Sequence, residues 1–341
     1  MTIVPVLSQL AMMAKSPHDF LDKLLNLHDE KVFGLANLNY PSENADERAS
    51  FTSEIPPSEF MFNKFTMMQQ LQVAPTMLRL IYETQKSSEF YGRTFQAQKD
   101  EASSAFIAQL EQLGYESGAT TIRYIKVPDD AIFQGKATPE KYAIIFAVKM
   151  DKAAIDTAPS FECFHEVNKG YMRMSIISNK LSRYLRDNGY AAYPGTALGG
   201  LTDYPRLAEL AGMGAIGYHG LLITPEDGTL LRLNTVYTNI KNLPVQEENP
   251  HEWIRDFCSK CKKCIRTCPA KAIFEKPQIQ ANGRARCIDS TACLDYFSAN
   301  YGCAVCADVC PFSQMGYDAV KERFKGNPDA PRFSIQESVA G

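Results

Sequence analysis

The chain has 341 residues, 45% of them hydrophobic and 22% charged, with a formal net charge of -3. These proportions suit a globular chain long enough for one large domain and one small one, and they exclude a low-complexity disordered polypeptide. The slightly acidic balance argues against a nucleic-acid partner, because duplex and tRNA binding usually leave a basic footprint.

In chain order, residues 1–100 read as an N-terminal extension of helix and loop. The opening MTIVPVLSQLAMMAKSPHDF shows no basic leader, twin arginine or long apolar run, so neither a signal peptide nor a membrane segment is expected. Phe20, Leu21, Leu24, Leu25 and Leu27 suggest a short amphipathic helix after Ser16-Pro17. Residues 40–60 read as loop, and the stretch from Phe60 to Met68 as core or interface. Phe106, Ile107, Leu110 and Leu113 have helical spacing, with Gly114 as the expected stop. Thr120 to Val127 alternates like a strand, and Tyr142 to Val148 is an apolar run suited to a buried one. A second helix is expected from about Asn168 to Asn188, with Met172, Ile176, Leu181 and Leu185 on one side. Its Asn188-Gly189-Tyr190 ending echoes Leu113-Gly114-Tyr115. The order implies an α/β sandwich over 101–248.

Glycine then becomes frequent: Gly195, Gly199, Gly200, Gly212, Gly214, Gly217, Gly220 and Gly228. Such density serves either tight turns or close approach of backbone to a bulky ligand. Residues 211–217 only partly meet the Gly-x-Gly-x-x-Gly order and follow no clear strand, so a Rossmann site is rejected. Asp203 and Glu209 are further acids, expected at the surface or as caps. Val245 to Trp253 is the expected domain junction.

The region 249–318 holds nine of the ten cysteines, and 319–341 reads as a tail. Cys258-x2-Cys261-x2-Cys264-x3-Cys268-Pro269 is the four-cysteine run of bacterial ferredoxins, in which three thiolates hold one [4Fe–4S] cluster and the fourth reaches a second. Cys303-x2-Cys306-x3-Cys310-Pro311 is a second, shorter run. By the same crossing, Cys258, Cys261, Cys264 and Cys310 hold one cluster. Cys268, Cys303 and Cys306 hold the other, completed by Cys293 or Cys287. Cys293 is preferred because it is nearer and precedes Tyr296 and Phe297, rings suited to shielding a cluster. Zinc or disulfides are the alternative, and they leave the two Cys-Pro endings unexplained. Clustered thiolates fit a reducing compartment, so the cytoplasm is expected. Lys260, Lys262, Lys263 and Arg266 lie among the ligands, either as a solvated loop or as a landing place for an acidic electron donor.

The segment 206–228 resembles the corrinoid-binding core of reductive dehalogenases, and more distantly that of epoxyqueuosine reductases of tRNA modification. The resemblance runs from about 120 to 315, through Gly170-Tyr171, Cys293-Leu-Asp-Tyr-Phe297 and Gly302-Cys303 to Cys310-Pro311-Phe312. It implies an α+β protein: a nitroreductase-like α/β corrinoid-binding core followed by a small ferredoxin-like domain with two [4Fe–4S] clusters. It also implies base-off cobalamin, lined by Gly200, Gly212, Gly214, Gly217, His219, Gly220 and Leu222. Tyr171 is the implied proton donor. Where dehalogenases carry an acid and an arginine, this chain reads Gly214-Ala215-Ile216-Gly217-Tyr218, which leaves Tyr218 and His219 as replacement polar groups and dehalogenation in question. The leading expectation is a reductase acting on a small organic molecule, fed by a ferredoxin- or flavodoxin-like donor. The alternatives are an epoxyqueuosine-reductase-like enzyme on tRNA and a non-catalytic electron-transfer or corrinoid-handling protein.

Overall fold

A computed structural model describes residues 26–47 and 65–326, except 198, 247, 282 and 325. Most of the expected helix near residues 20–27, and the expected loop beyond residue 47, lie outside the described residues. The centre is a four-stranded antiparallel sheet of β1 (Thr121–Lys126), β2 (Tyr142–Lys149), β3 (Ala192–Pro194) and β6 (Leu231–Thr238), in the order β1-β2-β6-β3. The apolar run of β2 exists because both faces of the sheet are covered. Ile144, Phe146 and Val148 meet α2 (Ser104–Glu116) and α3 (Phe161–Asp187) on one side. Ala143, Ile145 and Ala147 meet α4 (Tyr204–Leu210) on the other. The strands β1 and β2 coincide with the two strands read from the sequence.

Two boundaries differ from expectation. Gly114 is no stop, because α2 runs on to Glu116. Gly114 instead lets the helix approach β1: a Cβ there would stand 2.5 Å from Ile122 Cδ1. Only the second Gly-Tyr ending is a true stop, with Gly189 at φ +88°. The helix α3 starts at Phe161 rather than near Asn168, capped by Ser160, whose hydroxyl accepts from Cys163 N at 3.0 Å. Tyr171 therefore lies inside a helix instead of beginning one.

The segment before residue 101 is more than an extension. α1 (Met67–Glu89) packs along α3, where Asn179 Nδ2 donates to Glu83 Oε2 at 2.8 Å and Ser87 Oγ donates to Asn179 Oδ1 at 2.9 Å, all buried. Of the expected Met-rich core or interface, Phe65 is buried, whereas Met67 and Met68 are exposed.

After α4, a hairpin of β4 (Ala215–Ile216) and β5 (Leu222–Ile223) carries the cysteine-rich region. Ala215 and Ile223 pack with Ile254, Phe257 and Phe312. That region contains α5 (Trp253–Cys261), α6 (Lys263–Thr267), the β7–β8 hairpin (Ile273–Ile279, Ala285–Ile288), α7 (Ser290–Ala299), α8 (Val305–Asp308), α9 (Pro311–Gln314) and α10 (Tyr317–Phe324). The expected boundary at 318 falls inside α10, whose Val320 and Phe324 are buried beside Phe257 and Trp253. Among the described residues no helix is long and apolar enough to cross a membrane.

Candidate functional site

The two Cys-x2-Cys runs are shaped alike. Lys262 separates α5 from α6 in the left-handed region at φ 49°, between Cys261 and Cys264. Cys303 and Ala304 take φ 49° and 75° just before α8. Left-handed backbone at non-glycine residues is costly, and here it wraps the chain around the interior of each run.

Cys258, Cys261, Cys264 and Cys310 are all buried and together line one small cavity with Phe257, Phe312 and His219. Burial pushes the Cys258 and Cys264 thiols up to about 12 and raises Cys310, with the neighbouring thiols adding to each shift. Cys268, Cys293, Cys303 and Cys306 are each partly exposed. Burial also raises Cys306, with Cys264 of the first quartet and then Cys303, Cys293 and Cys268 as electrostatic neighbours, and Cys293 in turn has Cys303 and Cys268. Cys287 stands apart from that group. Its thiol donates to the Gly217 carbonyl at 3.5 Å, and burial pushes it up to about 11. Phe297 packs with Phe65, Phe161 and Phe164 beside the second quartet.

Among the described residues, no group of three or more His, Cys, Asp or Glu is placed to hold a single metal ion. A cubane takes one thiolate on each of four irons, so its ligand sulfurs stand farther apart than those around one zinc. Two all-cysteine quartets, the first of them lining its own buried cavity, fit that group. Backbone N–H groups of Tyr218, Lys263, Ile265 and Phe312 point at the sulfurs of Cys258, Cys261, Cys264 and Cys310, and Ala272 N donates to Cys268 Sγ at 3.4 Å. Such donors stabilise charge on ligating sulfur.

A second cavity, of about 460 Å³, lies against the sheet end, walled by Tyr171, Thr196, Gly200, Asp203, Leu221, Leu222 and Arg232 among others. Ser290 and Thr229 bring the cysteine-rich region to its edge, since Thr229 Oγ1 donates to Ala307 O at 3.1 Å. Thr196 Oγ1 and Arg232 Nε are buried without a hydrogen-bond partner among the described residues, so polar atoms on this wall remain available to a ligand. Arg232 sets its guanidinium 5.0 Å from the centre of the Tyr171 ring. Gly170 makes this approach possible, because a Cβ there would lie 3.0 Å from Arg232 Cγ. Although Tyr218 stands where the resemblance has an arginine, β6 thus places a cation beside Tyr171. Its signal was a lone arginine in a strand that the sequence reading did not recognise.

Several expected ligand-lining residues do other work. Of the seven, only Gly200 and Leu222 wall the large cavity. Gly214 and Gly217 abut Ile223, Gly212 abuts Gln246, and Gly220 abuts Cys287, so these are packing and turn glycines. Burial raises the Tyr218 phenol, whose charged neighbours include Cys258, Lys262 and Asp256, and Tyr218 does not wall the large cavity. His219 lies on the cysteine side. Its ring is fully buried and held neutral, with its pKa lowered to about 4. Asp203 caps α4 and pairs with Arg284 at 2.8 Å. Glu209 is paired rather than free: it accepts from Ile216 N at 2.7 Å and pairs with Arg255 at 2.7 Å, fastening the hairpin to α5.

No protein-family model matches the chain. Over 181 residues it is 33% identical to a tetrachloroethene reductive dehalogenase of Sulfurospirillum multivorans, covering 50% of this chain and 35% of that protein. It is 32% identical over 197 residues to the corresponding enzyme of Dehalobacter restrictus, covering 52% and 35%. The chain is related to the reductive dehalogenases. An epoxyqueuosine reductase of Synechocystis is a further relative, 32% identical over 116 residues, covering 31% of this chain and 38% of that protein. The chain therefore spans about a third of the length of these curated dehalogenases. In structure, this dehalogenase relative is similar to the catabolic reductive dehalogenase NpRdhA, with a TM-score of 0.60 at 18% identity, covering 73% of this chain and 38% of that one. That likeness establishes the shared mixed α/β fold.

Proposed function

We propose that this dehalogenase relative is a corrinoid-dependent iron–sulfur reductase acting on a small organic molecule, with a nitroreductase-like core and a ferredoxin-like two-cluster domain. The observation that carries the reading is the cavity wall itself. A tyrosine and an arginine share one wall of a 460 Å³ cavity whose rim includes Leu221 and Leu222 of the β4–β5 hairpin and Arg284 and Ser290 of the cysteine-rich region.

Cys258, Cys261, Cys264 and Cys310 would hold one cluster and Cys268, Cys293, Cys303 and Cys306 the other. Gly200, Leu222 and the unpartnered Thr196 hydroxyl would hold the corrinoid, whose carboxamide arms need such partners. When bound, the clusters supply single electrons and the corrinoid a strongly reducing cobalt centre. The protein's share is binding, orientation and a proton. Tyr171 Oη carries that proton, with the Arg232 guanidinium set over the ring. The cavity's apolar wall of Met174, Leu221, Leu231 and Leu233 limits water around the hydroxyl. The exposed Lys260, Arg266 and Lys271 beside the ligands suit an acidic ferredoxin- or flavodoxin-like donor. Clusters on this scale also suit the reducing cytoplasm.

Gel filtration of anaerobically reconstituted protein with added cobalamin tests the reading. About one corrinoid per chain should co-elute. Free cobalamin beside protein with intact clusters would remove the reductase reading and leave an electron-transfer protein. The similarity to an epoxyqueuosine reductase favours a second reading, reduction of a modified nucleoside in tRNA, for which retention of a tRNA stem-loop by the same sample is the test.

A further inference from the structure

The turn joining β4 to β5 runs between the two cavities. Gly220 N donates to Gly217 O at 2.9 Å and Gly217 N to Leu221 O at 3.0 Å, which fixes the turn. Leu221 and Leu222 then wall the large cavity, while His219 points the other way, into the cavity of Cys258, Cys261, Cys264 and Cys310. The residue is 4% exposed. Leu221 N donates to its Nδ1 at 3.1 Å, so Nδ1 bears the lone pair and the ring proton sits on Nε2. That buried Nε2–H meets no acceptor among the described residues. An orphaned buried donor costs about 1–3 kcal/mol, so the fold retains it at a loss unless something in the cavity accepts.

Gly217 adds an independent observation. A Cβ there would stand 2.9 Å from His219 Cε1 and 3.3 Å from Nε2, so the glycine keeps open the space this imidazole occupies. Other titratable groups at this wall are the thiols of the quartet and Lys262.

We propose that His219 is a positioning residue for electron transfer: its Nε2–H donates to a sulfur of the cluster held by Cys258, Cys261, Cys264 and Cys310 and raises that cluster's reduction potential. The inference rests on the cluster assignment made above. On reduction the cluster gains one electron from the external reductant, no bond to iron or sulfur forms or breaks, and the proton stays on Nε2. The added charge resides largely on sulfur, so the hydrogen bond strengthens on reduction and favours the reduced form.

The test compares His219→Leu and His219→Gln, reconstituted anaerobically, assayed for iron, and titrated with dithionite while the reduced clusters are followed by EPR. Both should keep about eight irons per chain. In His219→Leu, one cluster should show a reduced-to-oxidised ratio about tenfold lower at a given potential, which is about 59 mV for one electron. His219→Gln, which presents an amide N–H2 at similar reach, should stay close to wild type, and Gly217→Ala should move in the direction of the leucine variant. An unchanged ratio in His219→Leu overturns the inference. If the leucine variant loses its cluster, ENDOR of the reduced wild-type cluster in 15N-histidine-labelled protein decides: nitrogen coupling that His219→Gln abolishes supports the bond, and its absence refutes it. Wild-type protein without iron would refute the cluster assignment itself, and the inference with it.

Discussion

Replacing Gly214 by alanine separates two roles for the glycine-rich turn. The new Cβ would overlap the Ile223 carbonyl oxygen and lie 2.9 Å from its carbon and 3.2 Å from Thr224 Cα. All three are backbone atoms of the β5 region, so no side-chain rotation relieves the contact, and β4 must part from β5. Overpacking costs about 1–3 kcal/mol, and a backbone contact belongs at the upper end, about 3 kcal/mol. Gly135→Ala is the reference. Gly135 has φ +70° and nothing within 4 Å, so only the left-handed backbone is penalised, at about 1 kcal/mol. Urea unfolding of the cluster-loaded proteins, followed anaerobically by circular dichroism, should place Gly214→Ala well below Gly135→Ala in midpoint. If Gly214 instead lined a ligand cavity, alanine would leave stability within about 0.5 kcal/mol of wild type and weaken only ligand binding. That result would refute the packing argument.

Four further outcomes follow from the site. Cys293→Ala should lose or alter one cluster while Cys287→Ala keeps both, as read by iron content and EPR. Tyr171→Phe should retain clusters and corrinoid but lower turnover by about 10²–10⁴-fold, the usual contribution of a proton donor. Arg232→Gln should lower turnover in the same direction with both clusters retained, as measured in the same assay. Gly170→Ala should hold or raise thermal stability, since alanine gains about 1 kcal/mol in a helix, yet lower turnover by crowding Arg232 away from Tyr171.

The legible parts of this chain are those whose cause is local. Ligand spacing around a cubane is set within a few residues, so the cysteine runs stand out, and the burial of both faces of β2 writes an unbroken apolar run. What is not legible depends on partners far away in the chain. The strand β6 hides because Asn234, Thr235 and Thr238 are buried polar residues that break its apolar pattern: Asn234 Nδ2 donates to Gly195 O at 3.1 Å and Ser178 Oγ at 3.2 Å, and Thr238 Oγ1 donates to Ala191 O at 2.8 Å. Missing β6 meant missing Arg232, and with it the cation beside Tyr171. The start of α3 is masked by Glu166 and Asn168, buried polar residues that dilute the apolar pattern; Glu166 is held by Arg173 at 2.6 Å. Gly114 and Gly214 show a further limit. A glycine that admits a neighbouring chain reads the same as one that ends a helix or admits a ligand.

The central claim is that two cubanes and a corrinoid share this chain. EPR of protein reconstituted anaerobically with iron, sulfide and cobalamin, with iron and labile sulfide counted on the same sample, tests it most directly. The account predicts about eight iron and eight sulfide per chain, two reducible [4Fe–4S] signals, and a protein-bound cobalt signal without nitrogen splitting from a lower base. A single cluster, zinc in place of iron, or a cobalt signal identical to that of free cobalamin would contradict it.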